Sequence, residues 1–355
     1  MEFKKLSDYV SKGKDNNFNL IRFFAAIAVL LSHSYPLALG KFVNEPFESA
    51  LGINLGEIAL DIFFVTSGFL VTGSLLKRDS IKQFLLARIV RIYPGLFFSV
   101  LFMVLFIGVF NTNLPLWDYL TDKKVFLFAI NNSIMLGKDV KFYLPEVFLS
   151  NPYPYVVNGS LWSLPWEIRM YLLLVLFSIL NKLTLTYRSN VCNCVLLMYL
   201  FSFIFYLLGK LSNYHYHIFI QHILHFSIIF FSGSLFYFYK EKIILNEIMF
   251  FLVIIAAFIF IKSGLNIKVI YLLIFPYAVI FLAYVPSGFI RYFNTIGDYS
   301  YGIYLYAFPV QQYIISYNNV TPFELSMYSI PFVILISIFS WHFIESPFLK
   351  LIRKK

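Results

Sequence analysis

The residues able to do chemistry in this sequence are few, and they sit where apolar surroundings make them costly. The run IRFFAAIAVLLSHSYPL, beginning at Ile21, carries Arg22 and His33 among oily neighbours. Eleven steps of about 100° on an ideal helix return to nearly the same face with roughly 16 Å of rise. The two side chains can therefore line one path, with a histidine as base or nucleophile near neutral pH. Each also has a plainer reading. Arg22 is about one turn from the helix start and can snorkel to the interface, and a deep histidine can serve helix packing. Pro36 makes the backbone beside His33 irregular, because its ring excludes the usual bond to the Ser32 carbonyl. Such backbone is tolerated at membrane depth where it faces a cavity.

Two further segments bring acids to the depth of His33 if the chain starts in the cytoplasm. GEIALDIFFVTSGFL places Glu57 and Asp61 on one face, with Ser67 and Gly68 as a small-residue contact deeper in. LWSLPWEIRMYL places Glu167 within about two turns of the same outer surface. Arg169 offers the plainer alternative of an inert ion pair. At the inner level, FLLARIVRIYPG puts Arg88 and Arg91 three residues apart, so both forks can project from one side. Positive-inside topology predicts arginine there in any case. Two guanidinium groups beside Arg22 would nonetheless bind phosphate oxygens well, because the planar fork is bidentate and stays charged.

HYHIFIQHILH supplies His215, His217, His222 and His225 but no established metal-ligand spacing and no nearby acid, so it reads as interfacial rather than as a metal site. Cys192 and Cys194 imply neither a disulfide framework nor a metal cluster. HFIESPF places His342 and Glu345 one turn apart near the inner boundary, where helix termination before Pro347 explains much of the pattern and leaves Glu345 a site-lining role.

Positioning such residues falls to membrane helices. Hydrophobic residues make up 60% of the chain and charged residues 13%, against roughly 25% charged in a soluble domain. Apolar runs of about 20 residues recur almost throughout. The pattern predicts an all-α polytopic membrane protein with about ten transmembrane helices, near 18–39, 55–76, 84–110, 162–180, 191–209, 219–238, 245–261, 269–285, 300–317 and 324–344. Residues 1–17 read as a cytoplasmic lead-in rather than a signal peptide. Residues 18–345 form one transmembrane domain, and 346–355 a basic cytoplasmic tail. Both termini are expected in the cytoplasm, since most Lys and Arg then fall on that side. The net charge of +10 follows from that topology and from contact with anionic membrane lipid, and argues against nucleic acid as a partner. The connection at 111–161, rich in Asn, Pro and Tyr, is then outside. It is too long for a passive connector and is expected to cover the outer mouth and help bind an acceptor. The internal repeats common in transporters are not visible.

Together these segments resemble a known family, the acyltransferase-3 family of bacterial membrane O-acyltransferases. The resemblance rests on NNFNLIRFFAAIAVLLSHSYPL with its R-x10-H spacing, ALDIFFVTSGFL, the R-x2-R of ARIVRIYPG, NGSLWSLPWEIRMYL, GDYSYGIYLYAFPVQ and FIESPF, in the family's order. It implies a ten-helix domain of the bacterial cytoplasmic (inner) membrane. That domain would take an acyl group, commonly acetyl from acetyl-CoA, and deliver it to a hydroxyl of an extracytoplasmic glycan or lipid-linked oligosaccharide, as in O-antigens and capsules. By position, the resemblance assigns Arg22 and His33 to the first-helix motif, Arg88 and Arg91 to the second arginine motif, and Asp61 and Glu167 to acidic positions. The expected division of labour has Arg88 and Arg91, with Arg22, on the CoA phosphates. His33 is then general base or transient acyl carrier, with Asp61 or Glu167 orienting the imidazole, and no metal is expected. The competing class is a transporter or flippase for a lipid-linked glycan, whose intramembrane charges would serve passage.

Overall fold

The computed structural model describes residues 4–40, 45, 47–48, 52–78, 80–135, 140–182, 186–212, 214, 216–262 and 267–353. Among these residues there is no strand, only isolated bridges, and ten long helices stand where the apolar runs predict them. They are α1 (Phe18–Leu39), α2 (Leu55–Leu76), α3 (Ile81–Phe102), α4 (Leu164–Asn181), α5 (Tyr187–Leu211), α6 (Ile218–Phe238), α7 (Glu247–Lys262), α8 (Ile267–Tyr284), α9 (Ser300–Tyr317) and α10 (Pro322–Phe339). Backbone polar groups in hydrocarbon must bond within their own segment, which leaves the helix as the only form for such runs.

Seven of these helices are long and apolar enough to cross a membrane, and α8 makes an eighth if it is joined to Phe289–Ile296 across a 90° bend. Of the ten predicted spans, α7 has 16 described residues, and α9 is interrupted by Ser, Tyr and Gln. The latter composition is tolerated because α9 is buried along most of its length: a helix enclosed by protein can carry polar side chains that lipid would penalise.

The chain divides into two compact units. One comprises Met1–Arg22, Leu60–Ile81 and Trp166–Ile296, and the other Phe23–Ala59, Lys82–Pro165 and Gly297–Lys355. In the first, α2 and α6 touch backbone to backbone. A Cβ on Gly68 would collide with the Phe230 carbonyl, and one on Gly233 with that of Val65. The small-residue contact predicted around Ser67 and Gly68 is thus present, with α6 as its partner. The N-terminal segment is docked rather than loose: Leu6 is fully buried, its N–H donates to the Ile243 carbonyl at 2.8 Å, and the Asn17 amide donates to the Pro286 carbonyl at 2.8 Å.

In the second unit, α9 packs against α10, with Leu37, Phe308, Ile315 and Leu325 as a buried cluster. Helix α1 runs through Pro36 to Leu39 and stops at Gly40, whose φ of +108° lies where a glycine is favoured. Helices α3 and α10 continue as π-helical turns at Met103–Gly108 and Ser340–Glu345; such turns admit an extra residue and reorient side chains, often at functional sites. The 111–161 connection contains helices Leu116–Thr121 and Lys123–Ile134. It is fastened by Thr112 donating to the Pro145 carbonyl at 2.9 Å and by the Asn132 amide donating to the Lys141 carbonyl at 2.7 Å.

Candidate functional site

His33 stands half-buried on α1 and faces the segment that begins NGSLWSL. Asn158 caps the 3-10 turn Gly159–Ser163: its Oδ1 accepts the Ser160 N–H at 3.0 Å, and its Nδ2 donates to the Leu305 carbonyl at 2.9 Å. Gly159 is required because the Phe308 ring occupies the space a Cβ would need, 2.7 Å from it. The turn carries buried Ser160 to 3.5 Å from His33 Nδ1, a long contact of the kind that tightens when substrate is bound. The Tyr304 hydroxyl, 2.6 Å from Ser163 Oγ, donates to the Ser160 carbonyl and holds the turn from the other side. Phe308 meets His33 edge-on with centroids 5.2 Å apart, and meets Tyr153 at 6.1 Å.

One residue before His33, the Ser32 hydroxyl donates to Glu45 Oε1 at 3.0 Å, and the Leu55 N–H donates to the same oxygen. Glu45 is buried. Burial raises its carboxyl above the ordinary range, with Ser32 and the backbone N–H groups of Leu55 and Gly56 acting in the opposite direction. One residue after His33, Ser34 bonds Ser326 at 2.7 Å, and the buried Gln311 amide donates to Ser34 at 2.7 Å. The flanks of His33 are thereby fixed by polar side chains from three elements.

In the same unit, Arg91 is held by two acids. Its Nη2 lies 2.5 Å from Asp298 Oδ2 and its Nη1 3.2 Å from Glu345 Oε2. Ser300 donates to the other Asp298 oxygen at 2.5 Å, and Ser340 to the other Glu345 oxygen at 3.1 Å. The Tyr301 and Trp341 rings flank the guanidinium at 5.6 and 5.7 Å. The Glu345 of FIESPF therefore belongs with Arg91, presented by the π-helical turn of α10. Arg88 is half-buried, with its guanidinium 5.9 Å from the Phe84 ring centroid.

The other unit holds the remaining predicted residues. Asp61 is buried, with 1% of its surface exposed; it accepts from or pairs with His225 Nε2 at 2.7 Å and accepts from the Tyr271 hydroxyl at 2.9 Å. The imidazole this carboxylate orients is that of His225, a residue the sequence places at an interface. Glu167 Oε1 accepts from Ser67 at 2.9 Å and from the Tyr171 hydroxyl. The Arg22 guanidinium lies 5.5 Å from the Phe63 ring centroid. Arg169 stacks 4.5 Å over Trp166, and among the described ion pairs none joins it to a carboxylate.

The histidine-rich stretch divides by role. His217 caps α6 by accepting the Phe219 N–H at 3.3 Å, His222 packs edge-on to Trp166, His225 holds Asp61, and His215 lies outside the described residues. Among the described residues, no group of three or more His, Cys, Asp or Glu is placed to hold a metal ion. Sequence reasoning missed Ser160, Glu45, His225, Tyr271 and Asp298. Two signals were present: the Asn-Gly-Ser cap, and His225 falling on the apolar face of a helix, where a buried acid is the natural partner.

The comparison with known proteins identifies the family to which this helical chain belongs. The family profile Acyl_transf_3, described as an Acyltransferase domain, matches residues 15–344, and the chain belongs to that family. It is therefore an acyltransferase and a multi-pass membrane protein. It is 27% identical to a protein of Shigella phage Sf6 named O-acetyl transferase, over 95% of this chain and 96% of that one. It is 33% identical to Nodulation protein 10 of Rhizobium leguminosarum bv. viciae over 46% of this chain and 44% of the relative. It is 29% identical to the acyltransferase MdmB of Streptomyces mycarofaciens over 43% of this chain and 36% of the relative. No solved structure matches the chain.

Proposed function

We propose that this protein is an O-acetyltransferase of the bacterial cytoplasmic membrane. It moves an acetyl group from cytoplasmic acetyl-CoA to a hydroxyl of an extracytoplasmic glycan such as O-antigen, capsule or exopolysaccharide. In this reading ten helices span the membrane and both termini are cytoplasmic. The observation that carries the proposal is His33, seated against Ser160 in a chain of which 95% aligns with a protein named O-acetyl transferase.

With Nδ1 turned to Ser160, Nε2 is the nitrogen that takes the proton of the acceptor hydroxyl. The hydroxyl oxygen then attacks the thioester carbonyl, the carbon–sulfur bond breaks, and the imidazolium returns its proton to the departing thiolate. Arg88 and Arg91 are the cations proposed for the CoA phosphates, since guanidinium forks match phosphate oxygens. Two carboxylates already hold the Arg91 fork, so it reaches a phosphate only with those acids beside it. Asp61 acts through His225, and Glu167 through its bonds to Ser67 and Tyr171, as positioning acids.

The test is glycan O-acetylation in cells making His33→Ala at normal abundance. Abolished acetylation is expected, and full retention refutes the assignment. Binding of acetyl-CoA by the purified protein separates this reading from transport of a lipid-linked glycan.

A further inference from the structure

Beside the His33 seat, the 140–157 stretch folds around a cavity of about 500 Å³ lined by Tyr143, Tyr153, Pro154, Tyr155 and Val156, a volume within the range of small-molecule sites. Its walls are held by backbone and by one buried side chain. Tyr143 bridges Val156, the Val157 N–H donates to the Phe142 carbonyl at 2.8 Å, and the Tyr155 N–H to the Phe148 carbonyl at 3.1 Å. The Gln312 amide of α9 donates to the carbonyls of Tyr153 and Val156, each at 2.8 Å, while Asn151 donates to the Gln312 side chain at 2.8 Å.

These bonds hold a backbone that a free chain avoids: Tyr155, Phe148 and Glu146 have φ of +70°, +60° and +53°, a region costly for bulky residues. The result presents two large aromatic rings to the surroundings, with Tyr143 59% and Tyr155 53% exposed. Burial, with Tyr143 nearby, pushes the Tyr153 hydroxyl up, keeping it a neutral hydrogen-bond donor. Among the described residues, the side chains lining the cavity include no acid and no base. Tyr153 touches Phe308, and Phe308 touches His33, so two successive ring contacts lead from the groove to the candidate base.

We propose that this groove binds neutral sugar units of the acceptor glycan and presents one of their hydroxyls to His33. The identity of the occupant as acceptor rests on the acyltransferase reading above. A pyranose ring has an apolar C–H face and an equatorial rim of hydroxyls. Tyrosine offers the complement of both in one side chain, a broad apolar face and a polar tip. Among the described residues the lining is uncharged, which favours neutral hexoses over uronic acids, whose carboxylates would lose water against the tyrosine rings.

The experiment is saturation-transfer NMR on the full chain in mild detergent. The probes are methyl α-rhamnoside, methyl α-glucoside, methyl N-acetyl-α-glucosaminide and methyl α-glucuronide, with acetyl-CoA binding measured on the same samples. The expected result is saturation of ring C–H protons in at least one neutral probe. Affinity should fall roughly two- to tenfold in Tyr143→Ala and in Tyr155→Gly and stay unchanged in Trp117→Ala, which removes a 75% exposed ring elsewhere on the same connection. Glycine accepts a positive φ without strain, so Tyr155→Gly removes the ring while suiting the backbone. The proposal is overturned if the folded parent binds no neutral probe, if both tyrosine variants bind like the parent, or if the glucuronide binds best. Tyrosine-dependent sugar binding without acetyl-CoA binding would support the groove and refute the donor assignment; the converse would refute the groove alone.

Discussion

Replacing Arg91 with Met should unsettle α3 more than loss of a surface arginine could. The substitution keeps most of the aliphatic stem and removes the fork that joins Asp298 and Glu345. The Glu345 side chain is 1% exposed and that of Asp298 12%, so water cannot replace the lost donors. Breaking a buried pair from one side costs about 3–5 kcal/mol. Because Ser300 and Ser340 still donate to the stranded acids, the lower end, about 3 kcal/mol, is expected. Adding Asp298→Asn and Glu345→Gln to Arg91→Met removes the stranded charges and should recover more than half of the loss. The coupling between arginine and acids should exceed about 1 kcal/mol in a mutant cycle. The assay is reversible denaturant unfolding in mild detergent followed by tryptophan fluorescence. A loss below about 1 kcal/mol for Arg91→Met, or strict additivity with the acid substitutions, would refute the structural role of this cluster.

Arg88→Ala should weaken acetyl-CoA binding roughly tenfold or more, as loss of one charged contact of about 1.5–3 kcal/mol implies; calorimetry with acetyl-CoA checks it, and unchanged affinity would refute the donor contact. Glu45 has a carboxyl raised by burial, so its contribution is fully present below its unfolded pKa and is lost as pH rises through the folded value. Glu45→Gln, which keeps an acceptor for Ser32 and Leu55, should flatten the decline in stability as pH rises above the ordinary carboxyl range; an unchanged slope would show that other groups set it. Gly68→Val should abolish folded protein in a detergent-stability screen, because its side chain would enter the Phe230 carbonyl of α6. Ser160→Ala should lower O-acetylation less than His33→Ala, since it removes the contact at Nδ1 and leaves the imidazole; equal loss would assign Ser160 a direct part in the chemistry.

The placement of the helices was legible in the sequence. Apolar length and the need to satisfy backbone groups within a segment are local properties, and the bounds predicted for α1 and α2 coincide with those observed. The small residues of α2 also announced a close contact, although not that α6 makes it. The polar residues follow a different rule, because a charge in an apolar setting is defined by its partner, and partners lie far along the chain. Asp61 and His225 are 164 residues apart, and Arg91 and Asp298 are 207 apart. Spacing within one helix marks such residues as expensive without revealing what stabilises them.

Arg88 and Arg91 illustrate the point, since three residues apart on one helix they look like a matched pair of phosphate ligands. Folding gives Arg91 two carboxylates from α10 and the segment before α9, and gives Arg88 an aromatic face. The 111–161 connection was recognisable from its length and its tyrosines, but its groove depends on Gln312 of α9 reaching two backbone carbonyls. By itself the sequence determined which segments are helices and which residues carry charge into them, because both follow from short-range hydrogen bonding and desolvation. Only the tertiary structure decided which acid meets which base and where the tyrosines gather, because those pairings exist only once distant segments are packed together.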